Sequence, residues 1–254
     1  MRLVSIINAW SDTLELLPYC IENTLKFSNK VIVAYSVTSN HGNKDERILE
    51  LVFSNKLPVQ WINIEPVLGK HPHYNEAYKR NMALNVAKQM DYSHFLMLDA
   101  DEFYLSEEVQ KEKIRIEEQR LNGLVCRTKV YFKKPTYCLP DHTLVPFIHN
   151  ITPYISTGQF KRYPFAYDEQ GNAHIDPTRR LSFTDKVEMS GIYMHHFSWV
   201  RKDFNLKIEN SAARNNLKRS SIYRDLENAK EGVYNEFYRA NIVTCDNLFN
   251  LPES

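Results

Sequence analysis

The sequence predicts an α/β protein: a mixed, mostly parallel sheet flanked by helices, with a helical C-terminal extension. Three observations predict it. Apolar, β-branched runs alternate with helically spaced segments from the N-terminus to Tyr104, and that βαβαβαβ order is the signature of parallel strands joined by crossover helices. After Tyr104 the alternation gives way to a charged helix, a strand and segments of short β-like pieces rich in Pro, Tyr and His. From Lys202 onward the chain is polar and helically spaced.

Taken in order, RLVSII is the first strand, and SDTLELLPYCIENTLKF follows with Leu14, Leu17, Ile21 and Leu25 on one helical face. Asp12 and Glu15 have the spacing of a capping box. KVIVAYSV is the second strand, NKDERILELVFS the second helix and VQWINIE the third strand. NEAYKRNMALNVAKQM is a third helix with Asn75 as its expected cap, and HFLMLD is a fourth strand. SEEVQKEKIRIEEQRL reads as a charged helix and GLVCRTKVYF as a strand. Residues 133–190 read as short β-like pieces, and GIYMHHFSWV reads as a late strand. With no repeat, no low-complexity tract and no Gly/Ser linker, residues 1–210 are expected to form the main domain. Residues 211–254 are expected to form a helical extension packed on it.

Composition narrows the function classes. A net charge of +1 gives no reason to expect nucleic acid as the main partner, and no apolar run approaches a transmembrane span. MRLVSIINAW carries one basic residue and a short apolar run, which suits a first strand better than a leader, so a cytoplasmic location is expected. The four cysteines form no CxxC pair, which points to reduced thiols rather than a zinc knuckle or disulfide framework.

The informative stretch is HFLMLDADEFY, residues 94–104, where a buried strand runs into Asp99, Asp101 and Glu102. Open parallel sheets bind ligands at the carboxyl ends of their strands, and alternation directs Asp99 and Asp101 to the same side. Two adjacent carboxylates need a cation between them. Mg²⁺ or Mn²⁺ takes such oxygens and keeps positions free for phosphates, which makes Asp99 and Asp101 candidate metal ligands. The bland alternative is a solvated turn leading into SEEVQ.

NEAYKRNMALNVAKQMDYSHFLMLDADEFY resembles the donor-binding core of GT-A-fold glycosyltransferases, family-2-like members above all, in which a helix carrying an Arg-Asn pair precedes the strand that ends in a DxD motif. The resemblance implies a nucleotide-sugar donor, such as a UDP-sugar, with its diphosphate bridged by a metal on the DxD. It places Asp99 and Asp101 on the metal or the donor ribose. Arg80, with Lys79 or Asn81, falls on the phosphates or the sugar. It also places the donor base near Asn8, Ala9, Trp10, Asp12, Tyr35 and Ser36. Tyr35 is equally consistent with stacking on uracil and with core packing, and Asp12 with a helix cap.

MHHFSWVRK adds a late histidine motif. Neutral imidazole suits Mn²⁺ as a third ligand, and the cations Arg201 and Lys202 beside it suit a departing diphosphate. Neighbouring strand residues face opposite ways, so one histidine, taken as His196, is the metal ligand and His195 packs. One retaining subgroup carries His-x-x-Gly-x-x-Lys. His196 and Lys202 have that spacing, but Trp199 stands in place of the Gly, which leaves the stereochemical outcome open.

An inverting enzyme needs a base. AHIDPTRRLSFTDKVEMSG offers Asp176, Asp185 and Glu188, of which Asp176 and Glu188 are preferred, and RYPFAYDEQ is a candidate acceptor wall. The leading expectation is a metal-dependent glycosyltransferase acting on a hydroxyl of a glycan, lipid-linked sugar or protein. The rivals are a metal-dependent nucleotidyltransferase, disfavoured because NAWSDTLE lacks a Gly-rich phosphate loop, and a non-catalytic nucleotide-sugar or carbohydrate-binding module.

Overall fold

The structure is a computed structural model that describes residues 1–54, 56–158, 163, 175–182, 184–211 and 219–253. Four parallel strands open it. The order in space is β3 (Gln60–Asn63), β2 (Lys30–Tyr35), β1 (Leu3–Ala9), β4 (His94–Asp99). They are joined by α1 (Leu17–Leu25), α2 (Ile48–Ser54) and α3 (Pro72–Lys88). Their inner residues, among them Val4, Ile6, Ile32, Val33 and Leu96, are fully buried, as expected of strands covered on both faces.

Past β4 the sheet becomes mixed. The two-residue β5 (Glu102–Phe103) and α4 (Ser106–Gln119) precede β6 (Gly123–Phe132), β7 (Tyr137–Asn150) and β8 (Val187–Trp199). β7 runs antiparallel to both β4 and β6, β8 runs parallel to β6, and β5 closes the far edge antiparallel to β8. This strand order confirms the α/β class with a mixed sheet. The long β7 was expected only as short pieces, because its prolines, Pro140 and Pro146, break the usual strand pattern.

Other details depart from expectation. Ser11–Thr13 form a 3₁₀ turn with no side-chain cap, and α1 begins only at Leu17, so Asp12 and Glu15 do not build a capping box. α3 starts at Pro72, its first-turn proline preset for the helix, with the His71 side chain as its cap. Asn75 instead accepts from the Val67 amide at 3.0 Å and donates to the Asn40 carbonyl. Beyond α5 (Phe204–Asn210), the described residues of the C-terminal region hold one helix, α6 (Arg219–Glu227). The chain then turns to β9 (Tyr234–Asn235), β10 (Ala240–Asn241) and β11 (Val243–Thr244), the last pairing with β7. All four cysteines are free thiols, and no helix among the described residues is long and apolar enough to cross a membrane.

Candidate active site

The strand ends carry the site. β1 and β4 pair in register so that Asn8 lies opposite Asp99, and the chain leaves these strands in opposite directions across the sheet. Such a switch point leaves a crevice beyond the carboxyl ends of the strands. Here it is a cleft of about 420 Å³, bordered by Asn8 and Ala9 from β1, Trp10 just after it, Ser36 after β2, Asp99 at the end of β4 and Asp101 beyond it. Helix α3 contributes Glu76, Lys79 and Arg80, the turn before Pro177 contributes Asp176, and α5 contributes Lys207.

The three carboxylates after the strand each meet cations of the protein. Arg80 Nη2 donates to both oxygens of Asp99, at 3.0 and 3.1 Å, and Arg179 binds Asp99 Oδ2 from the other side. Burial acts to raise the Asp99 pKa, but Arg179 and Arg80 outweigh it and hold the group well below the usual carboxylate range. Buried Glu102 is bridged by Arg179, and its Oε2 also accepts from the Asp99 amide at 2.9 Å. Arg179 is the last residue of a 3₁₀ turn, Pro177–Arg179, capped by Asp176 accepting from the Thr178 amide at 2.7 Å.

Asp101 is fully buried. Its Oδ2 accepts from Arg201 Nη2 at 2.7 Å and Lys207 Nζ at 3.2 Å, and its Oδ1 lies 3.6 Å from His196 Nε2. Burial acts to raise its pKa, but Lys207, His196 and Arg201 hold it well below the ordinary value. The same contact raises the His196 pKa against the effect of burial. β5 makes this meeting possible, since its pairing sets Glu102 opposite His196 and Phe103 opposite His195. Arg201 is fixed further by the carbonyls of Ser198 and Asp12, each at 2.7 Å.

Several expected residues gather at the cleft and others do not. Ala9, Trp10, Asp12, Lys79, Arg80, Asp99, Asp101 and Asp176 line it. Asp12 is pushed up in pKa by burial. Arg201 binds Asp101 from beneath, and His196 stands beside Asp101. Tyr35 is buried and packs edge-on against Trp61 at 6.1 Å, so it belongs to the core. Asn81 exchanges hydrogen bonds with the backbone of Thr157, tying α3 to the segment after β7. Glu188 is exposed and paired with Arg115, and Asp185 is exposed and bound to Asn122, so neither faces the cleft. Lys202 is exposed, with its amide held by Glu15. Lys207, five residues later on α5, lines the cleft. RYPFAYDEQ lies outside the described residues except for Tyr163, which is buried with its hydroxyl on His149 Nε2 at 2.7 Å.

Glu76, Arg179 and Lys207 were not anticipated. Glu76 lies one helical turn before Arg80, so the 3.6-residue period that points Arg80 at Asp99 also points Glu76 at the cleft. Arg179 and Lys207 had no local signal, because each acquires its role through a partner far away in sequence.

A metal held between Asp99, Asp101 and His196 does not fit this donor set. Every Asp99 oxygen and one Asp101 oxygen already accepts from a guanidinium or ammonium. Among the described residues no group of three or more His, Cys, Asp or Glu side chains is arranged to hold an ion.

No protein-family model and no curated protein matches the chain. Among solved structures, S. aureus TarS 1-349 aligns at a TM-score of 0.48 with 16% identity, over 90% of this chain and 71% of that one. The same TarS segment in complex with UDP-GlcNAc aligns at 0.38 with 20% identity, over 52% of this chain and 35% of that one. A CMP:2-keto-3-deoxy-manno-octonic acid synthetase complexed with CTP aligns at 0.35 with 11% identity, over 59% of this chain and 72% of that one. The chain spans about a third of the length of the two TarS complexes it matches. At these scores the fold class rests on the strand order and not on the likenesses. That order, β3-β2-β1-β4 parallel with an antiparallel β7 beside them, is a mixed α/β sheet with the paired aspartates at the end of β4.

Proposed function

We propose that the protein is a glycosyltransferase that moves a sugar from a nucleoside diphosphate donor, such as a UDP-sugar, to an acceptor hydroxyl on a glycan, a lipid-linked sugar or a protein. The observation that carries this reading is the cleft at the carboxyl ends of β1 and β4, lined at once by the ammonium groups of Lys79 and Lys207 and by carboxylates that include Glu76 and Asp176. Its volume suits a small-molecule ligand. Lys79 and Lys207 suit a diphosphate, and Trp10 offers an aromatic wall for a base.

Glu76 and Asp176 suit the acceptor side. Burial pushes the Glu76 pKa up to about 7, with Arg80 opposing part of the rise, and a base poised near neutrality is well matched to taking a proton. Asp176 is held below its ordinary value because Arg80, Arg179 and Thr178 outweigh burial. It suits a charge that orients Arg80 and Arg179 better than one that titrates. In the reaction the acceptor oxygen attacks the anomeric carbon and its proton passes to Glu76. The bond to the diphosphate oxygen breaks, and the ammonium groups stabilise the charge that leaves.

The test is a panel of nucleotide sugars with simple glycan acceptors, read by chromatography of the released nucleotide. Release of a nucleoside diphosphate is expected. Release of pyrophosphate from a nucleoside triphosphate would instead identify a nucleotidyltransferase, and binding without turnover a recognition module.

A further inference from the structure

We propose that this site holds the diphosphate of its donor without a metal ion, the ammonium groups of Lys79 and Lys207 supplying the positive charge. The inference rests on the donor reading above and deepens it.

Paired carboxylates at a strand end need cations to coexist, and here the protein provides them. Asp99 has Arg80 and Arg179, and Asp101 has Arg201 and Lys207. The three guanidinium groups cannot withdraw to make room for an ion. Their side chains are between 2% and 8% exposed, and each is anchored elsewhere as well: Arg80 on Thr178, Arg179 on Glu102, Arg201 on the carbonyls of Ser198 and Asp12. Displacing any of them leaves a buried charge without its partner. A divalent ion on the same oxygens would also face these cations at close range in a poorly screened site.

The two lysines are different. Lys79 Nζ donates to the Ala9 carbonyl at 2.8 Å and has no carboxylate within 4.0 Å among the described residues, so its charge is unpaired at the cleft wall. Lys207 reaches Asp101 with one hydrogen bond, yet an ammonium has three donors, and its side chain is 20% exposed. Both therefore retain donors for phosphate oxygens. Burial lowers the Lys79 pKa to about 8 although Asp12, Asp99 and Glu65 oppose it from a distance, and a bound diphosphate would raise it again.

Calorimetry with UDP and GDP, in EDTA and in Mn²⁺, decides the matter, together with Mn²⁺ titration followed by electron paramagnetic resonance. The expected result is nucleotide affinity equal within about twofold in the two conditions, with no stoichiometric Mn²⁺ site on the protein alone. Lys79→Met and Lys207→Met should each weaken binding in EDTA by about tenfold or more, the scale of one charge-assisted hydrogen bond, with the melting temperature unchanged in Lys79→Met and lowered in Lys207→Met, which takes one cation from buried Asp101. Nucleotide binding that requires Mn²⁺ overturns the metal-free site and leaves the donor reading intact. Tight metal-free binding untouched by both substitutions overturns the role of the lysines. Failure of both nucleotides and of the sugar-nucleotide panel in either condition removes the donor reading and this inference with it.

Discussion

His195 and His196 are neighbours with opposite chemistry, and strand alternation separates them. His195 is buried against Tyr131 and Phe249, and burial lowers its pKa to about 4, whereas His196 turns to Asp101 and is raised. That division follows from period two alone and was legible in the sequence. So was the meeting of Asp99 and Asp101 at a strand end. What was not legible is who neutralises them, since Arg179 and Lys207 approach from residues about eighty and about a hundred positions away. Two predictions belong at this scale. Activity should rise with pH through about 7 and level off, because Glu76 must be ionised to accept a proton, and Glu76→Gln should lose that limb along with most turnover. The stability sign is the reverse. The folded chain keeps a Glu76 proton that the unfolded chain sheds near 4.5, so this residue costs stability as pH rises from there to about 7. A pH–rate profile unchanged in Glu76→Gln would return the role of base to Asp176. Arg80→Ala should cost roughly 3 kcal/mol in urea unfolding, the lower end for breaking a buried pair, because Arg179 still holds Asp99. An unaltered midpoint would confine Arg80 to ligand binding.

At the scale of elements, the helices and parallel strands of the first half carry their own periodic signal and form in the expected order, with the starts of α1 and α3 displaced. β7 escaped notice because its pattern is interrupted by proline, and β5 because two residues have no period. Both are specified by partners instead. β7 is wedged between β4 and β6, and at Gly123 on β6 the approach is so close that a Cβ would stand 2.3–2.7 Å from the His149 ring. That ring cannot step aside, being fully buried and bonded to Tyr163. Gly123→Ala should therefore destabilise by roughly 1–3 kcal/mol through overpacking. Combining it with a smaller residue at 149 should recover part of the loss, and a Gly123→Ala protein as stable as wild type would mean the two strands can separate without cost.

For the whole molecule, the division expected near residue 210 marks a change of composition, while the packing crosses it. α6 and the segment after it bring Ile222, Leu226 and Ile242 onto Val130, Phe132, Leu139 and Trp199 of the central strands. β11 adds hydrogen bonds to β7 at Cys138 and Tyr137. Phe249 lies against Phe103, His195 and Phe197, and Leu251 is buried in the core that also contains Leu96 and Leu98. The late histidine strand therefore has the C-terminal segment as one of its supports, and α5, which carries Lys207, lies just ahead of it in the chain. The polar, helical look of the sequence after Lys202 conceals this, because the apolar residues that matter are few and widely spaced. A chain ending at Asn210 should fail to fold cooperatively, since it exposes two faces of the sheet at once. The milder Leu251→Ala should keep the fold and lower stability by roughly 2–3 kcal/mol, the low end for a buried leucine, because the residue sits near a chain end that can relax. Urea unfolding and amide exchange read both. The decisive comparison is exchange protection along β8 in Leu251→Ala: if it matches wild type while only residues 243–253 open, the segment is a passive cover and contributes nothing to holding His196 and Asp101 together.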